Sequence, residues 1–391
     1  MSVSESFLPF ARPDIGEAEI DAVARALRSG WVTTGPETRA FEQEFAAFLG
    51  GGVQAIAVNS ATPGRRRPGD RRPRVGGHVG TPGACRHAAR VSTCPLIPLP
   101  PGADIRFVDC DPATMAMAPT ALAAAIGPNT VGVVVVHIGG YIPPAIRDIQ
   151  RICTEHGLWL VEDAAHALPA SCGGTPVGQL PSAAAVFSFY ANKTMTTGEG
   201  GMVVTRDEAL AARMRVMRLH GISRDAFDRF TSRTPAWYYE VVAPGFKYNL
   251  TDLAAALGRV QLARLPAFVQ RRQQLAARYL RELAGLPLVL PPQAPAGDTH
   301  AWHLFVLRLA DTARVTRGEV VQALADAGIG TSVHFVPLHR QPYWRDRYAL
   351  RPQDFPVAEA AYQRMLSVPL FTAMSDAEQA RVIAALRACL Q

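Results

Sequence analysis

Lysine is nearly missing from this chain of 391 residues: of 40 basic side chains only Lys193 and Lys247 are lysines, and the rest are arginines. A chain so rich in Ala, Arg, Gly and Pro uses arginine wherever charge alone matters. A guanidinium does not lose its proton and attack a carbonyl, whereas an amine can. A lysine that persists in such a background therefore points to amine chemistry. Cysteine is also scarce. The six thiols (Cys85, Cys94, Cys110, Cys153, Cys172 and Cys389) never fall in CxxC spacing, which speaks against zinc and against a disulfide framework. No apolar run reaches the roughly 18 residues of a membrane helix. The opening MSVSESFLPFARPDIG lacks the basic-then-apolar pattern of a secretory signal. A reduced, cytoplasmic protein with no membrane attachment is the expectation. With 48% apolar and 19% charged residues, the composition is that of a globular chain able to bury a large core.

Acid is short in one place only. The formal charge of +7 would suit a nucleic-acid binder. Between residues 63 and 101, however, eight arginines face a single acid, Asp70, and the remainder of the chain has 32 basic and 32 acidic residues. The basicity belongs to one segment, so no nucleic-acid partner is expected. That segment also has eight prolines and six glycines and no helical or strand period, which is unusual inside a compact domain. It reads either as a disordered Arg-rich insertion or, the reading we favour, as a stretch translated out of frame between two compensating shifts.

Elsewhere the pattern is regular. Ile20, Val23, Ala24 and Leu27 recur at helical spacing up to Gly30, and Phe41, Phe45, Phe48 and Leu49 do so up to Gly50. Short apolar runs follow: AIAV (55–58), IRFVDC (105–110), VGVVVVH (131–137), LWLVED (158–163), AAVFSF (184–189) and GMVVT (201–205). Helical stretches separate several of them, for example 146–156. Such alternation predicts an α/β fold, a largely parallel sheet covered on both faces. After about 250 the pattern changes: helices near 253–265 and 271–283, a strand at 303–309, a helix at 319–327, a strand at 331–335, and a last helix opened by Ser375 and Glu378 in capping-box spacing. A large domain of residues 1–250 and a smaller α+β domain of 251–391 are expected.

The chemistry gathers at strand ends. Lys193 lies in FSFYANKTMTTGEGG (187–201), between an apolar strand and a Gly-rich turn, where a parallel sheet places its ligand. Burial there would lower its pKa toward the range in which an amine attacks carbonyls. VEDAAHA (161–167) sets Glu162, Asp163 and His166 at the end of another strand. A carboxylate buried there needs a cation, which a protonated pyridine ring supplies, although Asp163 also suits a helix N-cap. Ser188 and the NSAT of 59–62, with Ser60 and Thr62, offer hydroxyls after strands, as phosphate sites do. Asn249, in GFKYNLTD (245–252), suits either a ligand contact or a helix cap.

Taken together, SGWVTTGP (29–36), AIAVNSAT (55–62), VEDAAHA, FSFYANKTMTTGEGG, PGFKYNLTD (244–252) and HAWHLF (300–305) resemble the DegT/StrS-type sugar-nucleotide aminotransferases, pyridoxal-phosphate (PLP) enzymes of fold type I. FLPFARP (7–13), His166 and GIGTSVHF (328–335) bring the likeness closest to members that act on a UDP-4-keto-pentose. The resemblance implies that Lys193 carries the cofactor as a Schiff base, that Asp163 pairs with its ring nitrogen and that His166 touches its 3-hydroxyl. It also implies that Ser188, Ser60 and Thr62 meet the phosphate, and that Asn249 reaches the phosphate of a neighbouring subunit in a homodimer. Thr33, Thr34 and His334 would face the sugar nucleotide, with glutamate and 2-oxoglutarate as the amino donor and its product. Trp302, His300, His303 and His339 offer further polar rings.

The likeness lapses from Pro63 to Pro101, where the family has a helix, a strand and an aromatic that stacks on the cofactor. Pro63 itself has no N–H to give a phosphate. Transfer of an amino group to a keto-sugar nucleotide, by a ping-pong route and for polysaccharide or lipid A sugars, is the function expected. The rivals are an inactive or regulatory homologue, which the broken segment suggests, and a sugar dehydratase of the same fold, against which the retained Lys193 argues.

Overall fold

A computed structural model of the protein describes residues 7–61, the backbone of 84–87, 105–223 and 238–391. Helices α1 (Glu17–Arg28) and α2 (Pro36–Leu49) precede strand β1 (Gln54–Val58). There follow β2 (Ala84–His87), β3 (Ile105–Val108), α3 (Pro119–Ala125), β4 (Gly132–Val136), α4 (Ile146–Glu155) and β5 (Trp159–Asp163). A small ribbon, β6 (Ser171–Cys172) and β7 (Thr175–Pro176), leads to β8 (Ala184–Ser188), β9 (Gly201–Thr205) and α5 (Glu208–Met217). The main sheet runs β1-β9-β8-β5-β4-β2-β3. Only β9 is antiparallel to its neighbours; the other pairings are parallel. β4 reads as a continuous apolar run, and all five of its residues are buried, as a strand covered on both faces requires.

One sequence expectation is corrected here. Residues 63–101 show no strand period, yet Ala84–His87 forms a sheet strand paired with both β3 and β4. A strand with neighbours on both sides is held by its backbone ladder, which places little demand on side-chain alternation. The out-of-frame reading of the surrounding residues, and Pro63 with it, lies outside the described residues.

Two large hydrophobic cores form among the described residues, beside two small clusters. The first packs α2, α4 and the first half of a long helix against the main sheet, around a ring cluster in which Phe41, Phe45, Phe187 and Phe189 lie at centroid distances of 5.2–6.1 Å. The second gathers Leu275, Tyr279, Phe305, Leu324, Leu366 and Val382 around a three-stranded antiparallel sheet. Its elements are β10 (Leu288–Val289), β11 (Phe305–Leu309) and β12 (Met365–Val368), with helices α7 (Arg317–Asp326), α8 (Pro342–Tyr348), α9 (Pro356–Arg364) and α10 (Asp376–Leu390). The capping box of Ser375 and Glu378 forms as expected.

The long helix α6 (Asp252–Glu282) joins the cores. Two helices were expected there; the structure has one, running through Pro266. A proline forfeits one helix bond, and burial of apolar residues on both sides, Leu262 and Leu265 before it and Phe268 and Val269 after it, outweighs that loss. The strand expected at 331–335 does not form: within it only Ser332 pairs, as a single bridge to Ser367 on the outer edge of β12. The Thr251 hydroxyl caps α6, whose first half packs in the first core and whose second half packs in the second.

Candidate active site

The parallel register brings separate motifs to one edge of the main sheet. Val136 pairs with Asp163, Asp163 with Val186, and Ser188 with Gly201, which also pairs with Val58. The carboxyl ends of β1, β4, β5 and β8 therefore lie side by side, and the 189–200 loop crosses them on its way into β9. Gly201 is required at this crossing: a Cβ there would come within 2.7 Å of the Ala61 nitrogen and 2.8 Å of the Phe187 carbonyl oxygen.

That loop is stitched to its surroundings. Phe189 N–H donates to the Gly200 carbonyl at 2.9 Å, Thr197 N–H to the Phe189 carbonyl at 2.9 Å and Lys193 N–H to the Tyr190 carbonyl at 2.9 Å. The Thr196 hydroxyl adds a bond to the Phe189 carbonyl at 3.0 Å. Lys193 is held 9% exposed. Burial pulls its amine down to about 8, and the Asp163 carboxylate opposes that fall. A neutral fraction near pH 8 is what a lysine needs to act as nucleophile or base.

Along β5 successive side chains point to opposite faces. Glu162 accepts from the Ser182 hydroxyl at 2.7 Å and pairs with His137 Nε2 at 2.8 Å, fully buried. Asp163 instead accepts from Ala165 N–H at 3.1 Å, a turn contact rather than a helix cap, since no helix follows. His166 accepts from Gly139 N–H at Nδ1, 3.3 Å away. In the neutral ring the proton is then on Nε2. The His303 ring packs on His166 with centroids 4.3 Å apart, and burial, with His166 and Lys193 nearby, drives the His303 pKa well below its ordinary value.

The other expected residues divide into two groups. Ser188 and Ser60 sit at the ends of β8 and β1, both half-buried, and Thr62 lies outside the described residues. Asn249 is no helix cap: its Nδ2 donates to Thr34 Oγ1 at 2.7 Å, and its Oδ1 accepts from Lys247 Nζ at 2.5 Å. The Thr34 hydroxyl donates in turn to the Leu250 carbonyl at 2.5 Å, while Thr33 is exposed. His334 is buried against Ser367 Oγ at 2.8 Å, and burial and Lys193 take it down to about 4. His300 stacks on Trp302 with centroids 3.7 Å apart, and burial takes it down to about 3. His339 is buried on Glu359 at 2.9 Å. The histidines and indole of the 300–339 region are thus wall and core rather than open surface. His334 and His300, with Tyr141 and Arg308, line one cleft.

Sequence reasoning passed over Arg272. It is buried on α6, donates to the carbonyls of Trp302 and Leu370 at 3.0 Å each, and is pushed down to about 10 by burial. Its position shortly after Pro266 was the available signal, but an arginine on a helix reads as solvated. Among the described residues no cluster of His, Cys, Asp or Glu is arranged to hold a metal ion, and no helix is long and apolar enough to cross a membrane.

The residues present fit pyridoxal phosphate. The edge offers a buried amine of lowered pKa with a carboxylate acting on it, an imidazole, and hydroxyls at strand ends. Two buried polar atoms there have no hydrogen-bond partner among the described residues, Asn192 Oδ1 beside Lys193 and His303 Nδ1 beside His166, as the wall of a polar ligand site would have.

Comparison with known proteins agrees. The DegT/DnrJ/EryC1/StrS aminotransferase family matches residues 13–66 and 92–387. The chain is 41% identical to the spore coat polysaccharide biosynthesis protein SpsC of Bacillus subtilis (strain 168), over 97% of this chain and 96% of that one. Among solved structures it is similar to Spr1654 from Streptococcus pneumoniae in its PMP form, at 28% identity and TM-score 0.86 over 98% of both chains. The PLP form of Spr1654 superposes with TM-score 0.85 at 26% identity, over 98% of both chains. The aminotransferase TlmJ from Streptoalloteichus hindustanus is 32% identical, with TM-score 0.82 over 98% of both. The chain belongs to the DegT/DnrJ/EryC1/StrS aminotransferase family, with fold type I, and is a pyridoxal-phosphate-dependent sugar aminotransferase.

Proposed function

We propose that this chain moves the amino group of glutamate to carbon 4 of a nucleoside-diphospho-4-ketosugar, such as a UDP-4-keto-pentose. The two substrates would take turns at one site, and 2-oxoglutarate would leave after the first half. The observation that carries this reading is Lys193, a buried amine near pH 8 under the influence of Asp163. When bound, the cofactor supplies an electron sink. Lys193 would hold it and, once released, move a proton at Nζ; Asp163 would face its ring nitrogen. His166 orients the ring, and Ser188, Ser60 and Thr62 bind the phosphate. Asn249 does so across a homodimer interface. Thr33, Thr34 and His334 face the sugar nucleotide. Kinship with SpsC supports a place in polysaccharide synthesis, and lipid A sugars are the alternative use.

The test is amination of UDP-4-keto-pentose, a UDP-4-keto-6-deoxyhexose and plain keto acids with glutamate as donor. Efficient turnover of keto acids with no response to either sugar nucleotide would overturn the substrate class and leave the cofactor chemistry standing. A second reading, an inactive or regulatory homologue, is favoured by one observation: the family match breaks off between residues 66 and 92. A chain of verified mass that is dimeric, yellow and active would dispose of that reading and of the frame-shifted origin of 63–101.

A further inference from the structure

We propose that Asp252 is a positioning residue that holds the 31–38 loop in the shape that receives the sugar nucleotide, a role that rests on the reading above that Thr33 and Thr34 face that substrate. Asp252 is 1% exposed. It opens α6, yet its side chain serves a different helix. Oδ1 accepts from Gly35 N–H at 2.7 Å, from Thr38 N–H at 3.0 Å and from the Thr38 hydroxyl at 2.7 Å; Oδ2 accepts from Glu37 N–H at 3.1 Å. These donors are the open N–H groups at the start of α2, whose own N-cap, Gly35, has no side chain to offer them. A carboxylate is also the group a helix N-terminus favours electrostatically.

The loop cannot cap itself for a steric reason. The Trp31 indole folds over Gly35, and a Cβ there would lie 1.9 Å from Trp31 Nε1. Trp31 Nε1–H donates instead to the Thr34 carbonyl at 3.0 Å. With glycine at position 35 beneath the Trp31 indole, the cap comes from elsewhere, and Asp252 supplies it.

Asp252 also ties this loop to the rest of the site. Its N–H donates to the Thr33 carbonyl at 3.0 Å, two residues after Leu250 and three after Asn249 engage the Thr34 hydroxyl. The same segment pairs with the end of β1, where Asn59 N–H donates to the Tyr248 carbonyl at 2.8 Å. Asp252 thus fixes the loop to the 248–252 segment, which is itself bonded to the strand end that carries Ser60.

The experiment uses full-length, cofactor-loaded enzyme and compares Asp252→Asn, Thr38→Ala and Thr38→Ser with the parent. It reads amide hydrogen exchange over 35–38, the KM for UDP-4-keto-pentose, and the rate at which glutamate alone bleaches the bound cofactor. Asp252→Asn turns an N–H toward that of Glu37, so exchange in 35–38 and the KM for the sugar nucleotide should each rise about tenfold, the loss of one charge-assisted bond. The glutamate half should stay within about twofold, because its chemistry lies at Lys193. Thr38→Ala should act in the same direction more weakly, and Thr38→Ser should restore the parent values. If Asp252→Asn does not fold, the Thr38 pair decides. Unchanged exchange over 35–38 overturns the proposal, as does an equal loss in both half-reactions. Faster exchange with an unchanged KM leaves the clamp standing and overturns the assignment of the loop to the sugar nucleotide.

Discussion

The two lysines of the chain stand in regions that treat charge in opposite ways. Lys193 is nearly sealed in the loop between β8 and β9, and burial there pulls its amine down to about 8. Lys247 is exposed on the segment leading into α6, and its ammonium is held by Asn249 Oδ1. The first region withholds water from an amine. The second leaves its amine in solvent, bonded to an amide oxygen. Rarity in the sequence marks both residues, and burial is what separates them.

The largest effect expected from this contrast is at Lys193. Lys193→Ala should lose turnover by more than about 1,000-fold, together with the visible absorbance that borohydride bleaches, while Lys247→Ala keeps that absorbance. A band surviving in Lys193→Ala would reassign the chemistry.

Asp163→Asn comes next. Removing the carboxylate takes away the charge that holds the Lys193 pKa up, so in apoprotein the pH midpoint for reductive methylation of Lys193 should move below 8. Turnover should fall on the order of 100-fold. A midpoint that stays in place would show that Asp163 and Lys193 do not sense each other.

A stability measurement tests the burial itself. The folded pKa of Lys193 lies below its unfolded value, so between about 8 and 10.5 the unfolded chain binds the extra proton and stability rises with pH. Below about 8 the buried ammonium carries its full cost. Apo Lys193→Met should therefore be the more stable protein at pH 7, by up to about 3 kcal/mol, less whatever Asp163 loses with its cation. The advantage should shrink toward pH 10.5. Urea titrations at pH 7 and pH 10 read it directly, and an advantage independent of pH would mean that packing, not charge, is responsible.

The smallest effect belongs to Lys247→Ala. An exposed ion contact contributes about 1 kcal/mol or less, so the melting temperature should hardly change. The apparent affinity for cofactor in the dimer is the sensitive quantity, through Asn249. A fall in affinity with turnover at saturating cofactor preserved would fit an orienting role for Lys247.

Strand positions in the large domain were legible because four- and five-residue apolar runs such as GVVVV have one way to be buried on both sides. Helix α6 was read as two because Pro266 is a local breaker, and local preference cannot foresee that cores on either side will hold the helix together. The histidines at 300, 303 and 339 read as polar rings for a sugar, whereas packing turns them into buried walls with lowered pKa values or a carboxylate partner. Asn249 shows the same limit, since nothing near it in sequence indicates Thr34 as its partner.

Read alone, the sequence marks candidate positions: a lysine after a strand, a carboxylate at a strand end, and small hydroxyl residues in turns are local patterns, set by what each side chain can do and where its backbone turns. The tertiary structure alone decided that these ends meet, because strand order and register are settled by contacts between residues far apart in the chain. It also decided which charges are starved of water, Lys193 being buried and Lys247 exposed. And it gave the first turn of α2 its cap from Asp252, more than two hundred residues later, since a buried N–H must find an acceptor wherever the fold brings one within reach.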